Sequence, residues 1–207
     1  MLADHARFDV VLLAASSGGL DALGRVLGPL PKWLPVPVAV VQHLAPDGRS
    51  YLAQILGTLS AMPVDWAHAG EHLERGRIYI APPTHHLLLD ASHRCVLSDG
   101  ARVNFSRPAA DPLFQSAAAS FGPRVLAVVL TGRLNDASAG VVAVKQAGGV
   151  VIAQSPRTCR APSMPRSAIE SGYVDFVIDV DTIASAIVNL VVLPGTRGRF
   201  GMRGNVA

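Results

Sequence analysis

Cysteine, charge and long apolar runs are all scarce in this sequence, and each shortage excludes a class of protein. The 207 residues include only two cysteines, Cys95 and Cys159, which lie far apart. Such cysteines predict a reducing, cytoplasmic compartment and no metal site. Charged residues make up 16% of the chain and the net charge is only +3. We therefore expect no nucleic-acid partner, which would need a denser basic stripe. Because no apolar run approaches the ~20 residues of a membrane span, we also expect no membrane insertion.

Apolar residues are abundant instead, and their spacing predicts the fold class. They make up 50% of the chain and form short runs that alternate with segments of helical periodicity. This alternation predicts an α/β fold with a three-layer, doubly wound, mostly parallel sheet. Helical periods are missing from the middle of the chain, where we expect a small antiparallel insert made of short strands at 64–67, 78–81, 87–89 and 95–97. We expect one domain over residues 1–193 and a disordered Gly/Arg-rich tail over 194–207.

The segment over residues 10–19 is the most informative stretch of the chain. A continuous apolar run ends in Ser16-Ser17-Gly18-Gly19, and helical spacing of apolar residues follows. The two serines are therefore expected where a buried strand passes into a helix N-terminus, whose free N–H groups and dipole favour negative charge. That position suits a nucleophile whose attack creates an oxyanion, and it also suits a bound phosphate. The spacing resembles a G-x-S-x-G nucleophile elbow with Ala14 in the first glycine position.

Two further strand ends carry polar side chains of the kind that serine catalysis needs. His43 follows the apolar run 38–41, and Asp136 follows the run 124–130. Because the carboxyl ends of parallel strands meet at one edge of a sheet, these residues and Ser16 are expected to converge there. Imidazole can activate a hydroxyl, and a carboxylate can orient the imidazole. Each residue alone also fits a structural role, as a loop histidine or as an acid at a helix N-terminus.

A dinucleotide-binding site is the alternative use of the same strand end. It would require G-x-G-x-x-G, and the corresponding positions hold Ala14, Ser16 and Gly19. The second strand ends at His43 instead of the acidic residue that would bind a ribose. We therefore expect no nucleotide and no other cofactor.

Several segments together resemble the catalytic domain of the chemotaxis protein-glutamate methylesterases, the CheB type. The first two are Ala14-Ala15-Ser16-Ser17-Gly18-Gly19 and Val40-Val41-Gln42-His43-Leu44-Ala45-Pro46. Further matches follow in family order: Tyr79-Ile80-Ala81-Pro82-Pro83, His86-Leu87, Arg107-Pro108 with Asp111 and Phe114, Val129-Leu130-Thr131-Gly132 with Asp136, and Gln154 with Met164-Pro165-Arg166.

The resemblance implies a catalytic triad of Ser16, His43 and Asp136. It implies a serine hydrolase of signal transduction that cleaves γ-glutamyl methyl esters on the cytoplasmic helices of methyl-accepting chemoreceptors or a similar methylated protein. Deamidation of glutamine at the same sites is a further implied activity. The residues implied to lie near the oxyanion or the substrate are Ser17, Gly18, Arg133, Leu134 and Met164. Four more residues are either substrate contacts or structural: His85, His86, Arg107 and Arg166.

Three features depart from the family pattern. Ala14 replaces a usual glycine. The chain starts shortly before its first strand, so we expect a domain that stands alone, without the family's receiver domain and its control by phosphorylation. The loop 132–137 reads Gly-Arg-Leu-Asn-Asp-Ala instead of Gly-Met-Gly-x-Asp-Gly. Leucine at 134 resists backbone angles that glycine permits, so this loop either runs differently or holds strain. Because either could displace an oxyanion donor, the alternative is a weakly active or non-catalytic regulatory or binding module.

Overall fold

A computed structural model describes residues 6–44 and 50–192, which form nine strands and six α-helices. The strands are β1 Val10–Ala15, β2 Val38–Gln42, β3 Val64–Trp66, β4 Ile78–Ile80, β5 His86–Leu89, β6 Cys95–Ser98, β7 Val125–Val129, β8 Val150–Gln154 and β9 Phe176–Ile178. The helices are α1 Gly19–Leu27, α2 Leu52–Leu59, α3 Ala110–Phe121, α4 Ser138–Gln146, α5 Ser163–Glu170 and α6 Val180–Val192.

Seven of the strands form one parallel sheet in the order β3-β4-β2-β1-β7-β8-β9, and β5 pairs with β6 as an antiparallel hairpin. The predicted doubly wound sheet with an antiparallel insert is therefore confirmed. The insert is smaller than predicted, because the strands at 64–67 and 78–81 extend the main sheet as β3 and β4. Their connection contains no helix, whereas parallel neighbours are usually joined through one, so the sequence favoured an antiparallel pairing.

The central strand β1 is buried on both faces, as its continuous apolar sequence predicts. Val11 and Leu13 pack with α1 and α6 in one core, and Leu12 packs with α3 and α4 in the other. β1 pairs with β2 on one side and with β7 on the other. The residues that follow these three strands consequently meet at the carboxyl edge of the sheet, which is where the candidate site lies.

The apolar spacing at Leu20, Leu23, Val26 and Leu27 predicts a helix over 19–27, and α1 spans these residues. The run 173–178 predicts a strand, of which only Phe176–Ile178 pairs with β8. Residues 46–48 read Pro-Asp-Gly, which predicts a turn, and they lie outside the described residues, as does the expected tail at 194–207. Within the described ranges, no helix has the length and apolar character needed to cross a membrane.

Candidate active site

Backbone hydrogen bonds place Ser16 between the ends of β2 and β7. The N–H of Ser16 donates to the carbonyl of Thr131 at 3.0 Å, and the N–H of His43 donates to the carbonyl of Ala15 at 3.0 Å. The buried Gln42 side chain joins the two segments, because its Nε2 donates to the carbonyls of Ser16 and His43, each at 2.9 Å. The serine and the histidine are thereby held on adjacent strands, one residue beyond the sheet.

Gly132 allows the segment after β7 to approach Ser16 closely. A Cβ atom at this position would lie 2.9 Å from the Cβ of Ser16 and would overlap the sulfur of Met164. Met164 is fully buried, and its N–H donates to the carbonyl of Gly132 at 3.0 Å. A side chain larger than hydrogen at 132 would therefore push the β7 end away from the serine. The family motif contains this glycine, but only the packing explains it.

His43 and Asp136 form the shortest side-chain contact at this edge of the sheet. Nε2 of His43 lies 2.6 Å from Oδ2 of Asp136, and the carboxylate side chain is 0% exposed. Since an ionised carboxylate only accepts hydrogen bonds, Nε2 carries the proton and donates a hydrogen bond to Asp136. The lone pair of the neutral imidazole is then on Nδ1, the nitrogen that is free to accept a proton.

Five hydrogen bonds hold the carboxylate of Asp136. Oδ2 accepts from His43 and from the N–H of Ala110 at 2.6 Å, and a set of three donors reaches Oδ1: Asn104 Nδ2 at 3.1 Å, Asp111 N at 3.2 Å and Ala137 N at 2.9 Å. Burial by itself would raise the pKa of Asp136, but the bonds from His43, Ala110 and Asn104 outweigh it and lower this pKa. Asp136 therefore remains ionised and keeps the imidazole oriented.

The N-termini of α3 and α4 are each capped by an acid that lies in, or next to, the other helix. Asp136 precedes α4 but accepts from the first N–H groups of α3, while Asp111 in the first turn of α3 accepts from the N–H of Gly140 in α4 at 2.7 Å. Burial, and then the neighbouring charge of Asp136, raise the pKa of Asp111. The sequence placed Asp136 at the start of α4, but it did not show that the acid caps a different helix.

The altered loop holds strain instead of running differently. Leu134 has φ +66° and Ala137 has φ +76°, both in the left-handed region that favours glycine. These are the two positions of the loop where this chain has another residue in place of the glycine that is usual in the family. The loop thus keeps the backbone form that glycine would adopt, at the energetic cost of two side chains in that region.

The other implied site residues occupy different depths around Ser16. Gly18 has φ +81° and precedes α1, and the carbonyl of Ser17 accepts from Thr131 Oγ1 at 2.9 Å. Arg133 and Leu134 are exposed in the loop that follows β7, whereas Met164 is buried behind Gly132. The N–H of Gly19, the first residue of α1, donates to the carbonyl of Ser16 at 2.8 Å, and the next N–H groups of this helix lack intrahelical acceptors.

Four residues were expected to be either substrate contacts or structural, and three of them have structural partners. His86 is buried, accepts from the N–H of Ala109 on Nδ1 and contacts the carbonyl of Ala101 through Nε2. Arg107 donates to the carbonyls of residues 99 and 100, and His85 pairs with Asp99. Arg166 is exposed on α5. Among the described residues, no three His, Cys, Asp or Glu side chains come together as a metal site.

An open cleft of about 1190 Å³ leads to Ser16. Helices α1 and α2 form its apolar wall, and polar residues of the strand ends form its floor, with lining residues that include Leu20, Ile55, Leu59, Gln42, Thr131 and Arg160. The cleft is far larger than an ester group, so a segment of a macromolecular substrate can enter it.

The sequence resembles proteins of one family throughout this fold. The family model described as CheB methylesterase matches residues 11–187. A putative protein-glutamate methylesterase/protein-glutamine glutaminase of Leptospira interrogans is 34% identical over 183 residues, which cover 88% of this chain and 95% of that protein. A protein-glutamate methylesterase/protein-glutamine glutaminase of Symbiobacterium thermophilum is 39% identical, and the match covers 88% of this chain but 50% of that protein. The crystal structure of the Thermotoga maritima CheB methylesterase catalytic domain superposes with a TM-score of 0.86 at 36% identity, covering 89% of this chain and 99% of that one.

Proposed function

The chain belongs to the CheB methylesterase family and is a methylesterase-like carboxylic ester hydrolase, and we propose that it hydrolyses γ-glutamyl methyl esters on a methylated protein. We assign Ser16 as the nucleophile, His43 as the general base and Asp136 as the acid that orients the histidine. The observation that carries this assignment is the 2.6 Å bond between His43 and the buried Asp136, formed beside the strand end that holds Ser16.

In the acylation step, Ser16 Oγ attacks the ester carbonyl carbon while its proton passes to Nδ1 of His43. The carbonyl oxygen becomes an oxyanion, which the N–H groups that follow Gly19 in the first turn of α1 stabilise. Collapse of the tetrahedral intermediate breaks the bond to the methoxy group, and His43 returns the proton to release methanol. Asp136 stabilises the imidazolium throughout, because its lowered pKa keeps it charged.

In the deacylation step, His43 removes a proton from water, which attacks the acyl-serine. The products are the free γ-carboxylate of glutamate and the restored Ser16 hydroxyl. A glutamine side chain would follow the same path with ammonia as the leaving group. The double name of the Leptospira and Symbiobacterium relatives, methylesterase and glutaminase, supports this second activity.

We propose cytoplasmic chemoreceptor helices, or a similar methylated protein, as the substrate. The cleft wall of α1 and α2 presents exposed apolar side chains, among them Leu20, Ile55 and Leu59. Such a wall fits the apolar face of a helix that carries the ester. We also propose that the catalytic domain extends over residues 1–193, which the family match over 11–187 supports.

The altered loop was the reason to consider a binding module without efficient turnover. Leu134 and Ala137 both adopt positive φ angles, so the loop retains the course that glycine would allow. This favours an active enzyme over a binding module.

Methanol release from a methylated receptor preparation tests the proposal. Ser16→Ala and His43→Ala should each remove most of the turnover, and the double variant should lose little more, because the two residues act as a unit. A serine-reactive phosphonate should label the wild type and should fail to label Ser16→Ala.

Ser17→Ala is the matched control for the labelling experiment. It removes the adjacent hydroxyl but keeps the backbone N–H, so the phosphonate label should be retained. Wild-type methanol release by Ser16→Ala would refute the assignment of the nucleophile. A wild type that binds methylated receptor but releases no methanol and accepts no label would favour the binding module.

A further inference from the structure

A tight turn over residues 103–106 has an unusual backbone beside the candidate acid. Val103 and Ser106 exchange backbone hydrogen bonds at 3.1 and 2.9 Å. The two central residues, Asn104 and Phe105, have φ angles of +50° and +63°. This is the pattern of a two-residue type I′ turn, in which asparagine is favoured first and glycine is favoured second. Phenylalanine at the second position is strained, and it is 86% exposed.

The turn directs the amide of Asn104 toward two buried carboxylates. Its Nδ2 lies 2.9 Å from Oδ2 of Asp111 and 3.1 Å from Oδ1 of Asp136. The two hydrogens of one amide nitrogen can therefore satisfy both acids at once. The negative charges of these acids repel each other, since the charge of Asp136 raises the pKa of Asp111. Asn104 is the neutral side chain that binds to both.

The geometry of Asp136 depends on which donors reach each oxygen. Oδ2 faces His43, while Asn104 supplies the only side-chain donor that reaches Oδ1 among the described hydrogen bonds. A carboxylate that is fixed at both oxygens cannot rotate away from the imidazole.

We propose that Asn104 is a positioning residue for the reaction, which holds Asp136 against His43 and separates its charge from that of Asp111. This inference rests on the proposed triad. Asn104 does not touch the substrate or the nucleophile, and it acts through Asp136. The strained turn maintains the asparagine in the conformation from which its amide reaches both acids.

The inference predicts a change in pH dependence as well as in rate. The groups that face Asp136 are the imidazole of His43 from the end of β2, the carboxylate of Asp111 and the N–H groups of α3, and the amide of Asn104 from the turn. Without the amide, Asp136 can rotate away from His43, and its negative charge then stabilises the imidazolium less. The acid limb of the kcat/KM profile should therefore move to lower pH.

Asn104→Gly is the most direct test, because glycine keeps the positive φ of the turn and removes only the amide. We expect kcat to fall about tenfold, as one of five hydrogen bonds to the carboxylate is lost, with KM nearly unchanged. The acid limb should move down by roughly 0.5 pH unit or more. Asn104→Asp has the same shape but adds a third carboxylate, and it should lose more activity than Asn104→Gly.

Phe105→Gly is the matched control in the same turn. It relieves the positive φ and removes no contact to either acid, so kcat and the pH profile should match the wild type while Tm rises. NMR titration of the His43 ring in the wild type and in Asn104→Gly gives a readout that needs no substrate. Its midpoint should move down in the variant.

An unchanged kcat and an unmoved histidine titration in Asn104→Gly would overturn the inference. A loss of activity with an unmoved titration, or an equal loss in Phe105→Gly, would also overturn it, because the turn and not the amide would then matter. Failure of the proposed function is distinguishable, since it would leave Ser16→Ala as active as the wild type whatever the histidine titration shows.

Discussion

Replacing Leu134 by glycine should stabilise the loop that carries Asp136. Leu134 has φ +66°, and a non-glycine residue in the left-handed region costs about 1–2 kcal/mol. Glycine avoids this cost but loses about 0.5–1 kcal/mol through the extra entropy of the unfolded chain. The free energy of unfolding should therefore rise by about 0.5–1 kcal/mol, before any loss of side-chain burial is counted.

Leu134→Ala measures how much the loss of side-chain burial lowers the free energy of unfolding. The leucine is 55% exposed, so truncation removes only part of the about 1.5–3 kcal/mol that full burial would contribute. Alanine loses the same contacts as glycine but keeps a Cβ, and therefore keeps the strain. Leu134→Gly should exceed Leu134→Ala in unfolding free energy by about 0.5–1 kcal/mol, or about 1–4 °C in Tm.

Urea unfolding and methyl-ester turnover of both variants check this reasoning. Since the wild-type loop already has the backbone form of glycine, we expect kcat to change less than about twofold, compared with the 10²–10³ loss that follows removal of an oxyanion donor. Equal stability of the two variants would show that the left-handed backbone of Leu134 is not strained. A large rise in kcat for Leu134→Gly would show that the native loop is displaced.

Three further predictions concern the same edge of the sheet. Gly132→Ala would place a methyl 2.9 Å from the Cβ of Ser16, so kcat should fall about 100-fold. Gly57→Ala is the control, because its new Cβ meets its nearest atom at 4.0 Å, and it should keep wild-type turnover. Equal rates in both variants would refute the packing argument. Asp136→Asn should lower the free energy of unfolding by about 3 kcal/mol at pH 7. Because the folded pKa of Asp136 is lowered, its stabilisation is present above the unfolded pKa and is lost as pH falls through the folded pKa, so wild type and variant should converge in urea titrations toward acid pH. If the gap between them stays constant with pH, the charge of Asp136 does not contribute. Arg133→Met should weaken the salt dependence of kcat/KM on an acidic receptor substrate, since an exposed guanidinium attracts it from a distance; an unchanged salt slope would exclude this role.

Local patterns account for the elements that the sequence predicted well. The run Val10–Ala15 is buried on both faces, and a strand with two buried faces must be apolar at every position. The polar residues after β1 and β2, Ser16 and His43, could be placed because chain order and strand direction bring carboxyl ends to one edge. These inferences need only the period of a segment and the residue that ends it.

The pairing of β3 and β4 was not predictable in this way. Both strands are three residues long, too short to show a period, and their connection lacks a helix. The position of β4 beside β2 follows from burial of Ile78 and Ile80 against the core of the whole sheet, and β3 pairs with the other edge of β4.

The sequence by itself determined which strand ends carry a hydroxyl, an imidazole and a carboxylate, because these depend on residues adjacent in the chain. Only the tertiary structure decided what holds the carboxylate. Asn104 and Ala110 lie 32 and 26 residues from Asp136, in segments whose side chains show no pattern that points to it. Their partner is set by how α3 packs against α4 and by a turn with two positive φ angles. A hydrogen bond between distant segments depends on distances of a few tenths of an ångström, which arise from packing of the whole fold and leave no periodic signal in the sequence.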